Sequence, residues 1–325
     1  MDLLDPVRLV DGAALGVAAD RLAGKVVRTP LLPSARLSDE FGVPVLLKAE
    51  NLQHTGSFKV RGMMNAMLAR AASDDPPAGV TTFSAGNAAA ATAYAARILG
   101  IPATVCMPPG AVEAKVEAVQ RYGGEIVFTD DLVGTCHRLA AERNYLALHP
   151  FDDPDVIAGQ GTVGVELMAD CPEPGLVLVP VGGGGLISGV SAAMRAARSG
   201  RTAQIVGVEP AAANAMTHAL ATGAAQAPPC KPSSIADGLA APFAGPNTLA
   251  HVQANVDSVV TVEEAAIRDA WWSFLDATKL LVEPSSVVGL AALRSGAVAV
   301  PAAGPIVLVV SGGNAARSGI ASVTA

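Results

Sequence analysis

Aromatic side chains are scarce in this chain of 325 residues: two Trp, three Tyr and seven Phe amount to 4%. Charged residues, at 16%, are also few. No uninterrupted apolar run reaches the roughly 18 residues that suggest a membrane-spanning helix, so no membrane partner is expected. The mean hydropathy of +0.41 instead reflects alanine and valine, which suit close helix packing. Hydrophobic residues make up 51%, enough for a sizeable core and unlike a disordered chain. Lys and Arg number 22 against 29 Asp and Glu, a net charge of −7, and no basic stripe with interleaved aromatics occurs. Nucleic acid is therefore not an expected partner. The four cysteines, Cys106, Cys136, Cys171 and Cys230, form no C-x-x-C pair, as expected of buried or isolated thiols in a reducing cytoplasm. The five histidines (54, 137, 149, 218 and 251) show no metal-ligand spacing. Met1 to Asp5 carries neither a charged nor an apolar leader region, so no signal peptide is expected.

What is present is alternation. Short apolar runs at 45–47, 81–83, 103–107, 125–128, 176–181, 204–208 and 306–310 predict strands. Helical patterns occupy 63–72, 88–99, 112–122, 134–143 and 186–197. The run from Leu176 to Val181 is continuously apolar, as expected of a strand buried on both faces. The pattern predicts an α/β chain with parallel sheets. Two series are distinguishable, one over 79–151, the other over 31–47 and everything after 176. A smaller domain at 79–151 inserted into a larger one formed by 1–78 plus 152–325 fits this order. The site is then expected between them, at the carboxyl ends of the strands. The proline-containing stretch 224–234 reads as a surface loop.

Four segments carry chemistry. Lys59 lies in Ser57-Phe58-Lys59-Val60-Arg61-Gly62, where a partly desolvated lysine can form an imine with an aldehyde. Arg61 supplies either a second charge that lowers the lysine pKa or a structural ion pair. Gly182-Gly183-Gly184-Gly185 separates the strand ending at Val181 from the helix starting at Leu186, and such a loop wraps a phosphate with backbone N–H groups. The run does not match G-x-G-x-x-G cleanly, because Ile187 holds the sixth position. Aldehyde and phosphate on one cofactor mean pyridoxal 5′-phosphate (PLP). Ser84-Ala85-Gly86-Asn87 and Ser311-Gly312-Gly313-Asn314 complete the set.

These motifs, in this order from about Leu31 to Asn314, resemble the fold-type II PLP enzymes, specifically the threonine/serine dehydratase and serine racemase family. The resemblance implies two parallel-sheet domains of the tryptophan-synthase-β-like kind, the small one inserted into the large, and a homodimer. It implies that Lys59 is the catalytic lysine, with Phe58 beside it. Gly182, Gly183, Gly184, Gly185 and Leu186 would hold the phosphate, and Asn87 the ring hydroxyl. Ser311 would face the pyridine nitrogen, where a neutral hydroxyl leaves the ring a weaker electron sink than a carboxylate does. Glu283, in Leu281-Val282-Glu283-Pro284, matches a glutamate near the ring or is an ordinary loop carboxylate. Ser84, Ala85, Gly86, Asn87 and Ala88 would hold the amino-acid substrate. The segment 158–162 reads as an architectural loop near the domain junction. A Mg²⁺ or Ca²⁺ ion at Glu209 and the Ala213 carbonyl is an alternative to a water or monovalent ion, since Ala215 stands where a second acidic ligand is usual. No appended regulatory domain is expected after Ala325, unlike the longer biosynthetic threonine dehydratases.

Two departures matter. Ala88 replaces the usual histidine, which widens the pocket or simply extends an alanine helix. Ala85 stands where serine racemases carry the serine that donates a proton on the second face. The expected activity is β-elimination from a 3-hydroxy amino acid such as L-threonine or L-serine, giving a 2-oxo acid and ammonia. Alternatives are 3-hydroxyaspartate or a bulkier substrate such as phenylserine, a serine racemase, a β-replacement enzyme, and a PLP-binding protein without turnover.

Overall fold

The protein is described here from a computed structural model. It describes residues 7–197 and 203–315. Met1 to Asp5 and Ala325, which bear on the expectations about the chain ends, lie outside the described residues.

The chain opens with α1 (Gly12–Leu22), β1 (Leu31–Pro33), α2 (Ala35–Phe41) and β2 (Val45–Ala49), and two 3-10 turns then lead to α3 (Lys59–Ala71). Next come β3 (Gly79–Phe83), α4 (Asn87–Leu99), β4 (Ala103–Met107), α5 (Glu113–Arg121), β5 (Glu125–Phe128), α6 (Leu132–Arg143) and β6 (Tyr145–Leu148). The remainder runs α7 (Pro154–Asp170), β7 (Leu176–Pro180), α8 (Gly185–Ala196), β8 (Gln204–Pro210), α9 (Ala215–Thr222), α10 (Pro246–Asn255), β9 (Ser258–Val262), α11 (Glu264–Thr278), α12 (Val288–Arg294) and β10 (Ile306–Val310).

Among the described residues the strands form two sheets, ordered β1-β2-β10-β7-β8-β9 and β5-β4-β3-β6. All neighbours are parallel except β1, which runs antiparallel to β2. The larger sheet explains its own sequence. In β7, Leu176 and Leu178 point into a cluster with Trp271, Phe274 and Leu290, whereas Val177 and Val179 face Ile187, Val190 and Val307. With side chains alternating between two covered faces, no polar position is left in the run.

The segment 158–162 is not a loop. It lies inside α7, and its glycines are there for close packing. A Cβ on Gly159 would come within 2.6 Å of the Arg61 carbonyl, and one on Gly161 within 3.0 Å of the Gly189 carbonyl on α8. Glycine lowers helix propensity, but here it lets backbones approach to distances no side chain permits. The helix expected over 63–72 begins earlier, at Lys59, and the one expected from 88 begins at Asn87. The short strands β1, β6 and β9 and the helices α1, α2, α9, α10, α11 and α12 were not among the expected elements.

Candidate active site

The carboxyl ends of the strands meet one cavity of about 740 Å³. Phe58 and Lys59 border it, as do Ser84 to Ala88, Gly182 to Leu186, Glu283 and Ser311, so the residues expected at cofactor and substrate come together. Glu209 and Ala213 do not border it. Glu209 accepts from the N–H groups of Met216 (2.8 Å) and Thr217 (2.8 Å) and from the Thr217 hydroxyl (2.7 Å). Both its oxygens thus cap the start of α9, and burial pushes its pKa up to about 7. At the position where a Mg²⁺ or Ca²⁺ ion, a water or a monovalent ion was the expectation, the Glu209 carboxyl is held by backbone and hydroxyl donors.

Lys59 is the first residue of α3. The loop before it is sewn to the end of β10: the Phe58 N–H donates to the Ser311 carbonyl at 3.1 Å, and the Gly313 N–H to the Gly56 carbonyl at 2.8 Å. Gly56 adopts φ 73°, and a Cβ there would collide with the Asn314 amide. The Lys59 amine donates to the Pro150 carbonyl at 3.0 Å and lies 5.2 Å from the Phe58 ring centroid. Burial lowers its pKa to about 8, and the nearby Glu283 offsets part of that shift. Arg61 is not the cause. It is fully buried in an ion-pair network with Glu50 and Glu166, so the structural alternative holds for it.

Asn87 is held at both ends. Its Nδ2 donates to the two Glu283 carboxylate oxygens at 3.1 and 3.0 Å, and its Oδ1 accepts from Asn314 Nδ2 at 2.9 Å. Burial pushes the Glu283 carboxyl up to about 7, with the Asn87 hydrogen bond pulling it back. Gly86 caps α4, and the Ser84 hydroxyl accepts from the Gly86 N–H at 3.1 Å. Ala88 borders the cavity and, at 2% exposure, also belongs to the buried cluster that contains Val60, Met63 and Met64.

The glycine loop follows β7 and opens α8. Gly184 has φ 93°, the left-handed region that favours glycine. A Cβ on Gly183 would stand 2.5 Å from the Phe151 ring, and one on Gly184 2.5 Å from Met216 Cε. Thr248 locks the loop from α10 by donating its hydroxyl to the Gly183 carbonyl at 2.8 Å. The Thr248 N–H in turn donates to Asp152 at 2.9 Å, and burial raises that carboxyl to about 6.

The stretch from His149 to Asp152 was barely legible in the chain. His149 Nδ1 accepts from the Asp152 N–H at 2.9 Å, and its ring packs edge-on against Phe83 and Phe151. Burial, followed by the Lys59 charge, lowers the His149 pKa to about 3, so the imidazole is neutral. It shapes the turn that presents the Pro150 carbonyl to Lys59. The one signal was position: His149-Pro150-Phe151-Asp152 is followed only by Asp153, the helix cap, before Pro154 opens α7.

These groups fit an aldehyde that carries a phosphate. The Lys59 amine is desolvated and bound to one carbonyl. Among the described residues, the N–H groups of Gly182 to Leu186 donate to no protein acceptor outside regular structure, as a phosphate cradle at a helix start requires.

Residues 22–312 match the family described as "Pyridoxal-phosphate dependent enzyme". The L-threonine ammonia-lyase of Geobacter sulfurreducens is 42% identical over 301 residues, covering 91% of this chain and 74% of that one. The L-threo-3-hydroxyaspartate ammonia-lyase of a Pseudomonas species is 40% identical, with 86% of this chain and 87% of that one covered. The solved structure of maize serine racemase superposes with a TM-score of 0.89 at 35% identity, covering 98% of this chain and 97% of that one. The chain belongs to the pyridoxal-phosphate dependent enzymes of fold type II, in the threonine/serine dehydratase and serine racemase family.

Proposed function

We propose that the protein is an ammonia-lyase that takes the β-hydroxyl and the amine from a 3-hydroxy amino acid, by default L-threonine or L-serine, leaving a 2-oxo acid and ammonia. The observation that carries this reading is the desolvated Lys59 amine on the same cavity as the 84–88 segment, the glycine loop and Ser311. When bound, PLP supplies the electron sink that acidifies the substrate Cα–H. Lys59 is the base that removes this proton, and the Pro150 carbonyl keeps its amine aimed. The N–H groups at the start of α8 hold phosphate, and Phe58 and Leu186 close the wall beside them. Asn87, fixed between Glu283 and Asn314, orients the ring. The Ser84 hydroxyl keeps its proton available and, with the N–H groups at the start of α4, holds the substrate carboxylate.

The reading includes a smaller unit at 79–151 inserted between 1–78 and 152–325. In its support, β3 to β6 pair only with one another among the described residues. It also includes a homodimer, testable by light scattering, and a cytoplasmic setting consistent with four free cysteines. Among the described residues no helix is long and apolar enough to cross a membrane. A Mg²⁺ or Ca²⁺ ion is not part of the reading, given the capping role of Glu209.

Serine racemisation is the second reading, favoured by likeness to the maize enzyme. Ala85 on the cavity wall counts against it, since it offers no proton. One panel separates these readings. The holoenzyme is incubated with 3-hydroxy amino acids, including 3-hydroxyaspartate and phenylserine, and 2-oxo acid, ammonia and D-serine are measured. Oxo acid with little D-serine supports the lyase, and D-serine at a comparable rate overturns it. A product formed only with added thiol indicates β-replacement, and no turnover indicates a PLP-binding protein without catalysis.

A further inference from the structure

Aromatic rings are scarce along the chain yet gathered at the cavity: of the seven Phe, four, namely Phe58, Phe83, Phe151 and Phe243, border it. His149 ties three of them together. Its ring centroid lies 5.0 Å from that of Phe83, 4.5 Å from Phe151 and 6.2 Å from Phe243, and the Phe151 and Phe243 centroids are 5.7 Å apart. Phe151 is buried, but Phe83 and Phe243 are only half-buried, with ring surface left open. Leu132 also borders the cavity and packs into the same small apolar cluster as Phe83. The charges on this border are already paired: Asn87 holds Glu283, and Lys115 meets Asp237 at 2.5 Å. Among the described residues the one other cation there besides Lys59 is Arg121, which is exposed and therefore screened by water.

We propose that this aromatic face selects 3-hydroxy amino acids whose Cβ carries an apolar group, with Phe83 and Phe243 as the specificity-determining side chains. The proposal rests on the ammonia-lyase reading, which puts the substrate carboxylate at the 84–88 segment and the Cα–H toward Lys59. Phe83 directly precedes Ser84, and His149 directly precedes Pro150, whose carbonyl binds the Lys59 amine at 3.0 Å. The ring cluster thus adjoins both groups that fix Cα, and the substituent on Cβ is the part of the substrate left to meet it. An apolar group there covers ring surface that is otherwise wet, a gain of roughly four-fold in binding per buried methylene. A carboxylate there would lose its water against rings and a neutral imidazole, with no unscreened cation to pair it. Beyond its hydroxyl, the Cβ of serine carries only hydrogen and that of threonine a methyl, so the rings favour larger apolar substituents over both.

The test uses the holoenzyme and amino acids that lack a β-hydroxyl and so bind without elimination. Dissociation constants for L-phenylalanine, L-leucine, L-alanine and L-aspartate are read from the change in cofactor absorption. L-Phenylalanine and L-leucine should bind on the order of ten-fold tighter than L-alanine, and L-aspartate no tighter than L-alanine. The ratio of L-phenylalanine to L-alanine affinity should fall on the order of ten-fold in Phe243→Ala and in Phe83→Ala, with most of it kept in Phe243→Leu. In parallel, kcat/KM for 3-phenylserine should exceed that for L-serine. L-Aspartate binding tighter than L-phenylalanine in wild type overturns the proposal, and this comparison stands even if a variant fails to fold. An unchanged ratio in both alanine variants overturns the role of the two rings. Both outcomes leave the ammonia-lyase reading intact when a 2-oxo acid still forms from any 3-hydroxy amino acid. No oxo acid from any of them overturns that reading, and the proposal with it.

Discussion

Lys59 and Arg61 stand two residues apart at the start of α3, and both hold a cationic group away from water. Lys59 is half-buried as a residue because it borders the cavity, yet its amine has one protein acceptor. Arg61 is completely buried and donates to both oxygens of Glu50 (2.8 and 2.9 Å), both oxygens of Glu166 (2.7 and 3.0 Å), Thr162 and the Val27 carbonyl. Burial works against charge in both. In Arg61 the carboxylates more than offset it and the pKa is raised, whereas in Lys59 burial wins and the pKa falls to about 8. An under-satisfied cation on a cavity is poised to react. A fully satisfied one holds β2, α3 and α7 in register, and with them the turn that carries Lys59.

The sharpest way to break this contrast is to remove each cation in turn. Lys59→Ala should lose its visible cofactor absorption and about 10²–10⁴-fold or more of turnover, while its urea midpoint stays at or above that of wild type. Full activity in this variant would remove Lys59 from the mechanism. Arg61→Met should leave Glu50 and Glu166 without their partner and cost about 3–5 kcal/mol of stability, the range for breaking a buried pair. Urea unfolding of both variants checks the difference, and equal destabilisation would erase it.

A pH series sharpens the Lys59 side. Its folded pKa is depressed, so the amine is neutral above about 8 rather than above the usual lysine range. The rate at which the apoprotein captures PLP should rise with pH, with its midpoint near 8. A midpoint beyond 10 would mean the amine is solvated. By linkage, folding stability contributed at this site falls as pH drops from 10.5 through 8, because the unfolded chain binds the proton more readily. Replacing Lys59 by Met should remove that slope.

The smallest effect concerns the wall facing Lys59. Ala88→His should lower kcat/KM for a bulky 3-hydroxy amino acid relative to serine by roughly 1–3 kcal/mol, on the order of ten- to a hundred-fold. Because Ala88 is also buried in the cluster with Met63 and Met64, some stability should be lost as well. An unchanged ratio would assign Ala88 to helix packing alone.

Lys59 and the glycine run were legible because each carries its chemistry in a contiguous stretch. The buried strands β7 and β10 were legible for the same reason, as runs whose two faces are both covered. The Ala-Gly-Gln-Gly-Thr segment misled because glycine marks turns in isolation. Only the approach of α8, whose Gly189 lies against Gly161, shows that the glycines are a packing surface. That the Glu209 carboxylate meets the start of α9 was not legible either, because the Met216 and Thr217 donors reach it only through the fold.

By itself the sequence determined the alternation of strands and helices, the family, and the lysine and glycine run that the fold brings to one cavity. These depend on local periodicity and on residue types within a few positions of one another. Tertiary structure alone decided that Pro150 would hold the Lys59 amine, and that Glu283 and Asn314 would grip Asn87 from opposite ends. It also decided which of two neighbouring cations would be neutralised. Those outcomes depend on desolvation and on hydrogen bonds between residues 91 to more than 200 positions apart, and neither exists until the sheets have brought their carboxyl ends around one cavity.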